Sequence, residues 1–147
     1  NAWIKAAGKL GLPVYASRDW HPRGHMSFAE RGGPWPPHCI QDTPGAAFHP
    51  KLKLPPETVV VTKGVRFDQD QNSAFDQTGL AAELKRAGIK RLWVGGLAED
   101  VCVLASVLDA RKSGFATQLI PDGARPVTPA GGEKARGMMR ASGAVLA

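Results

Sequence analysis

Residues 91–120 read RLWVGGLAEDVCVLASVLDARKSGFATQLI, and this stretch decides the fold. Arg91-Leu92-Trp93-Val94 has the short apolar character of a strand, and Gly95-Gly96 is expected to turn it. Val101 to Lys112 is apolar almost all round and stops at Gly114, as in a helix buried on several sides. Ala116 to Ile120 then resumes as a strand. A strand, a helix and a second strand in so short a span imply a βαβ unit and therefore parallel pairing.

The same alternation extends outward in both directions. Downstream, Pro121-Asp122-Gly123 signals a turn, Glu133 to Ala141 a last helix and Ala144-Val145-Leu146 a last strand. Upstream, Leu80, Leu84 and Ala87 mark an amphipathic helix closed by Gly88, and Val59-Val60-Val61-Thr62 is a β-branched run suited to a buried parallel strand ending at Lys63-Gly64. Trp3, Ile4, Ala7 and Leu10 recur at helical spacing until Gly11 and Pro13, before a strand at Val14-Tyr15-Ala16-Ser17. Asp19 to Pro56 is rich in Pro, Gly and His and lacks periodicity, and excursions of that length are usually functional or disordered. The fold class read from this pattern is α/β: a doubly wound, mainly parallel sheet with helices on both faces, in one domain over residues 1–147 without internal repeats.

Composition narrows the function classes. Hydrophobic residues make up 43% and charged ones 22% of 147 residues, as in ordinary globular domains. No apolar run approaches the roughly 18 residues a membrane span needs, so no membrane partner is expected. The net charge of +6 is spread along the chain with no basic run longer than a pair, which argues against phosphate tracking and a nucleic-acid partner. Two cysteines without an export signal point to reduced thiols in a cytoplasm. A homo-oligomer is compatible with the sequence. Asn1 stands where a translated chain would carry methionine, so the 147 residues are expected to be an excerpt of a longer protein.

In open α/β sheets ligands sit at the carboxyl ends of strands, and three strands deliver reactive groups there. The first ends in Asp19-Trp20-His21, where the period of two can aim carboxylate and imidazole the same way, and His25 and His38 follow in the loop. One carboxylate with three imidazoles suits Zn, Fe or Mn; the plainer alternative is exposed loop histidines and a turn-capping Asp. His49, before Pro50, reads as structural. Cys39 reads as a small buried thiol, with a fifth ligand as the lesser alternative.

The second delivery is Lys63, whose ammonium, if buried, must find a carboxylate; lysines at strand ends also commonly snorkel to the surface. The third is Cys102. It follows a strand, two glycines and Asp100, a good N-cap, so the thiol falls in the first turn of a helix, where the dipole favours thiolate and backbone N–H groups converge. An ordinary core cysteine is the alternative on position alone, but a nucleophile, a lysine and a ligand set on successive strand ends together favour catalysis.

These residues resemble a known family. Asp19-Trp20-His21-Pro22, Gly24-His25-x-Ser27-Phe28, Trp35-Pro36-Pro37-His38-Cys39, Thr43-Pro44-Gly45-Ala46 and Phe48-His49-Pro50 occur in the order found in nicotinamidases of the isochorismatase-like cysteine hydrolases. Lys63-Gly64, Ser73-Ala74-Phe75 and Gly96-Leu97-Ala98-x-Asp100-x-Cys102-Val103 continue the match over essentially the whole chain. The resemblance implies an amidohydrolase converting nicotinamide, and pyrazinamide likewise, to the acid and ammonia through a thioester on Cys102. It implies an oxyanion hole from the backbone of Ala98 and Cys102 with a cis peptide between Leu97 and Ala98. Lys63 would stabilise charge beside the nucleophile and hold an acid/base aspartate. One divalent metal ion on Asp19, His21, His25 and His38 would orient the pyridine nitrogen. Trp35 would pack on the ring, with Leu97 and Phe75 also lining the substrate site.

Three departures from the family pattern stand out. Glu99 replaces a common threonine, and Asn72 stands where many relatives have tyrosine. The acid/base aspartate ends a first, central strand in the family, and no Asp precedes Asp19, so that strand is expected to be missing from this chain and the fragment alone to be inactive. The alternatives are another isochorismatase-like amide or ester hydrolase, or a non-catalytic remnant.

Overall fold

The computed structural model describes residues 1–146, which divide into two compact units, Asn1–Gln71 and Asn72 onward. In the first, α1 (Ala2–Lys9) contains no fully buried residue and is followed by Gly11, whose φ of +64° favours glycine. Strand β1 (Tyr15–Asp19) pairs in parallel with β2 (Val59–Lys63), in a register that sets Tyr15 beside Val59 and Asp19 beside Lys63. The chain between them is not a free loop. It folds back through 3-10 turns at Ala29–Arg31 and Pro44–Ala46 and through isolated parallel bridges, His21 with Ile40 and Phe28 with Trp35. Phe28 is its buried apolar centre.

Strand β2 departs from the expectation of a fully buried run. Val59 and Val60 are 40% and 45% exposed while Val61 and Lys63 are buried. Paired in a two-stranded sheet, the strand buries only the carboxyl-terminal end, against which the excursion folds.

The second unit holds α2 (Leu80–Arg86), β3 (Arg91–Leu97), α3 (Leu104–Lys112), β4 (Ala116–Arg125), α4 (Pro129–Ala141) and β5 (Val145–Leu146). Its sheet has the order β3-β4-β5 with both pairings parallel. Val103, Val107, Leu119, Ala124, Ala135, Met139 and Ala144 form the core, with Val94, Leu104 and Leu146 packed against it. Helices α3 and α4 thus bury their apolar positions in one core with β4, and the α/β class read from the sequence holds. No helix among the described residues is long and apolar enough to cross a membrane.

Two expected turns are instead strand interior. Strand β3 runs through Gly95-Gly96 to Leu97, and β4 through Pro121-Asp122-Gly123 to Arg125, with a register shift between Val94 and Gly96. The glycines serve close approach at this irregularity: a Cβ on Gly95 would lie 2.9 Å from the Gly123 carbonyl oxygen, and one on Gly123 would lie 2.9 Å from Ile120 Cγ2. Helix α4 also begins earlier than periodicity suggested, because Pro129 occupies its first turn and Thr128 caps it, its hydroxyl accepting from the Gly131 N–H at 3.0 Å.

Candidate metal cluster and nucleophile turn

In the first unit, the β1–β2 register delivers Asp19 to Lys63 directly. The buried Lys63 ammonium donates to Asp19 Oδ1 at 2.5 Å and to the Gln71 carbonyl at 2.9 Å. Lys63 is therefore not a snorkelling surface residue, and the carboxylate it holds is Asp19 itself. The Gln71 side chain closes the same corner by accepting the Gly64 N–H at 2.9 Å. Gly64 lies at φ +63°, and a Cβ there would overlap the His21 ring, so this position admits only glycine without displacement.

The imidazoles are oriented by carbonyls. His21 Nδ1 lies 2.9 Å from the Gly64 oxygen and His38 Nδ1 lies 2.8 Å from the Pro36 oxygen. A carbonyl oxygen only accepts, so both Nδ1 atoms carry a proton, which in the neutral ring leaves the lone pair on Nε2, the arrangement that metal-binding histidines use. Burial holds His21 below its usual pKa, outweighing the opposing pull of the Gly64 hydrogen bond and of Asp19, and so favours the neutral, ligating form. Donor atoms of Asp19, His21 and His38 lie within 4.8 Å of one another. One carboxylate oxygen and two imidazole nitrogens at that spacing fit a divalent cation of borderline softness.

His25 joins the cluster by its ring rather than by a presented lone pair. It is fully buried and stacks on His21 with centroids 4.1 Å apart. Its Nδ1 accepts the Ser27 hydroxyl at 2.7 Å, and its Nε2 donates to the Gln69 carbonyl at 3.0 Å. Ligation by Nε2 would require release of the Gln69 contact. Phe28, to which the sequence assigned no role, meets the edges of His21, His25 and His38 at centroid distances of 5.8, 5.7 and 5.4 Å. Trp35 stands edge-on to His38 at 6.4 Å and is fixed by its bridge to Phe28. Gln71 and Ser27 were likewise missed, since a lone polar residue in aperiodic sequence carries no signal of what it will hold.

In the second unit, Cys102 lies on a π-helical turn, Glu99–Val103, that leads directly into α3. The Val103 N–H reaches back five residues to the Ala98 carbonyl at 3.0 Å, and the Val101 N–H shares that oxygen at 3.2 Å. Such widened turns are frequent at functional sites. Ala98 is extended, and the Leu97–Ala98 peptide is cis, as the resemblance implies. Asp100 is not the N-cap; Ala98 takes that position. The Asp100 carboxylate instead accepts the Val127 N–H at 2.8 Å and the Thr128 N–H at 3.4 Å, at the entry to α4.

The half-buried Cys102 Sγ lies 4.0 Å from Asn72 Oδ1. Asn72 is steadied because its neighbouring segment is tied to α3, the Ala74 N–H donating to Ser106 Oγ at 2.9 Å. Phe75 packs on Phe115 with centroids 6.1 Å apart, and Leu97 is exposed. Glu99, the residue in place of threonine, is buried and paired with Arg136.

The chain matches the isochorismatase domain family over residues 1–147. A nicotinamidase of Acinetobacter baylyi is 35% identical over 146 residues, covering 84% of this chain and 68% of that relative. The crystal structure of a Pyrococcus horikoshii pyrazinamidase in complex with zinc superimposes with a TM-score of 0.96 at 40% identity, covering all of this chain and 81% of the other. PnC1 of L. infantum in complex with nicotinate gives 0.89 at 36% identity over 99% of this chain and 79% of the other. The fold, the donor cluster and the cysteine turn thus come from a member of the isochorismatase-like family closely related to the nicotinamidase/pyrazinamidase proteins.

Proposed function

We propose that this chain carries a metal-dependent cysteine amidohydrolase activity that converts nicotinamide, and pyrazinamide likewise, to the corresponding acid and ammonia. The observation that carries the reading is the cluster of Asp19, His21 and His38, whose donor atoms converge with both imidazole tautomers already set for ligation. A relative named nicotinamidase, a solved pyrazinamidase in complex with zinc and a solved relative in complex with nicotinate support it.

In this reading Asp19, His21, His38 and, once freed from Gln69, His25 hold one divalent ion, Zn, Fe or Mn. Such an ion, when bound, supplies a Lewis-acid site that orients the ring nitrogen of a pyridine amide. The Cys102 thiolate attacks the amide carbon, and the backbone N–H groups of Ala98 and Cys102 stabilise the oxyanion that develops. Collapse of the tetrahedral species breaks the C–N bond and releases ammonia, and water then cleaves the thioester to the acid. The thiol proton passes to the leaving nitrogen, so that ammonia departs as the C–N bond breaks. Lys63 adds positive charge to balance the developing anion while holding Asp19. Trp35, Phe75 and Leu97 are assigned to the substrate ring. A thiolate nucleophile suits a reducing compartment, and the activity is assigned to the cytoplasm.

Ammonia release from nicotinamide, measured with the metal-loaded full-length protein, tests the reading. Cys102→Ala is expected to lower the rate by at least ~10³-fold without loss of bound metal. Metal-independent turnover, or turnover that survives Cys102→Ala, overturns it.

A further inference from the structure

We propose that the Glu99–Arg136 ion pair positions Cys102: Arg136, reaching from α4, anchors the turn that presents the sulfur. The inference rests on Cys102 being the nucleophile and adds a residue pair that the family motif does not contain. Glu99 opens the π-helical turn and is only 1% exposed, yet its Oε1 accepts from Arg136 Nη1 at 2.7 Å. The α4 residue one turn earlier is Gly132, where a Cβ would lie 3.4 Å from that same Nη1 and 2.7 Å from Pro126 Cγ. Glycine at 132 is thus demanded by Pro126, and the guanidinium passes at ordinary contact distance beside it. Asp100, the next residue of the turn, grips the entry to the same helix through the Val127 N–H at 2.8 Å. Consecutive carboxylates thus fasten the turn to α4 at two points.

A turn closed by a five-residue hydrogen bond has lower local preference than an α-turn and depends on outside contacts for its shape. A buried ion pair is a weak source of net stability, and the best-attested use of such pairs is to select one arrangement over its neighbours. Here the arrangement selected is the spacing between Ala98, whose backbone faces the developing oxyanion in the proposed reaction, and Cys102. A small displacement of either group is costly in rate even where substrate still binds.

The test uses the metal-loaded full-length protein carrying E99Q, R136K or the paired apolar replacement E99M/R136M. Three quantities are read for each: kcat and KM for nicotinamide, the rate of iodoacetamide alkylation at Cys102 followed by peptide mass spectrometry at one pH, and the unfolding midpoint. E99M/R136M leaves no unpaired buried charge and is expected to unfold at or above the wild-type midpoint, with kcat about tenfold lower and KM changed by less than about twofold. Its alkylation rate changes as well. E99Q, which keeps a neutral hydrogen bond to Arg136, is expected to lose roughly threefold in kcat, and R136K to recover most of the activity that the paired replacement loses. Wild-type kcat and alkylation in a folded E99M/R136M, or in E99Q should the double variant not fold, would reduce the pair to packing and overturn the proposal. If the wild-type protein releases no ammonia from nicotinamide, the functional reading fails, while the alkylation rates still decide whether the pair governs the sulfur.

Discussion

The two units bury opposite kinds of interior. In residues 1–71 the buried apolar side chains are Phe28, Ala46 and Val61, set among buried His21, His25, Ser27, Lys63 and Gln71. In the second unit Val107, Leu119, Ala135 and Met139 dominate, with Glu99, Ser73, Ser106 and Thr117 as the buried polar minority. The first unit therefore draws its order from hydrogen-bond directions among polar side chains, the second from apolar area removed from water. A site held by directions is sensitive to small geometric changes; a site held by a packed core responds to lost volume.

The largest test of this contrast is Gly64→Val. A side chain there collides with the His21 ring at a backbone conformation that β-branched residues avoid, so metal content is expected to fall below a tenth of wild type, read by elemental analysis, with a lower unfolding midpoint. Met139→Ala probes the other interior. Emptying this fully buried position is expected to cost about 2–5 kcal/mol in denaturant unfolding while metal binding in the folded fraction persists. Loss of metal in that variant would show that the two interiors are not independent.

Acid sharpens the comparison further. Because burial depresses the His21 pKa in the folded chain, the unfolded state binds the proton more tightly, and stability rises with pH through this range. Metal-free protein is expected to lose stability as pH falls below the ordinary histidine value of 6.5, toward the lower folded value, with no contribution from this residue well above it. Thermal unfolding across that window, compared with a His21→Gln variant, checks the sign. The smallest expected change is for Glu83→Gln, which removes an exposed i,i+3 pair with Arg86 on α2 and should shift stability by less than ~0.5 kcal/mol in denaturant unfolding.

How much of this was legible beforehand followed the same division. The βαβ alternation of the second unit is written in apolar periodicity, so α3, β4 and β5 lie close to where their patterns put them. The misreadings there came from glycine and proline, which signal turns locally but at Gly95 and Gly123 serve close backbone approach inside strands. Asp100 looked like a cap for its own helix and instead caps the entry to α4, because hydrogen-bond partners across a fold leave no trace in local order. In the first unit the residue types at Asp19, His21 and His38 announced a ligand set, whereas their tautomers, the stacked place of His25 and the wedge of Phe28 arise from carbonyls and rings brought together by an aperiodic chain.

The alignment of β1 on β2 has one more consequence. Asp19 meets Lys63 because each stands fifth in its strand, counted from the Tyr15–Val59 pair. Strand chemistry can change at Ala16 or Val60 without moving either charge, but an inserted or deleted residue between Tyr15 and Asp19 would turn the carboxylate to the opposite side of the ladder. Evolution and engineering alike are free to rewrite these strands letter by letter, and are barred from altering their length.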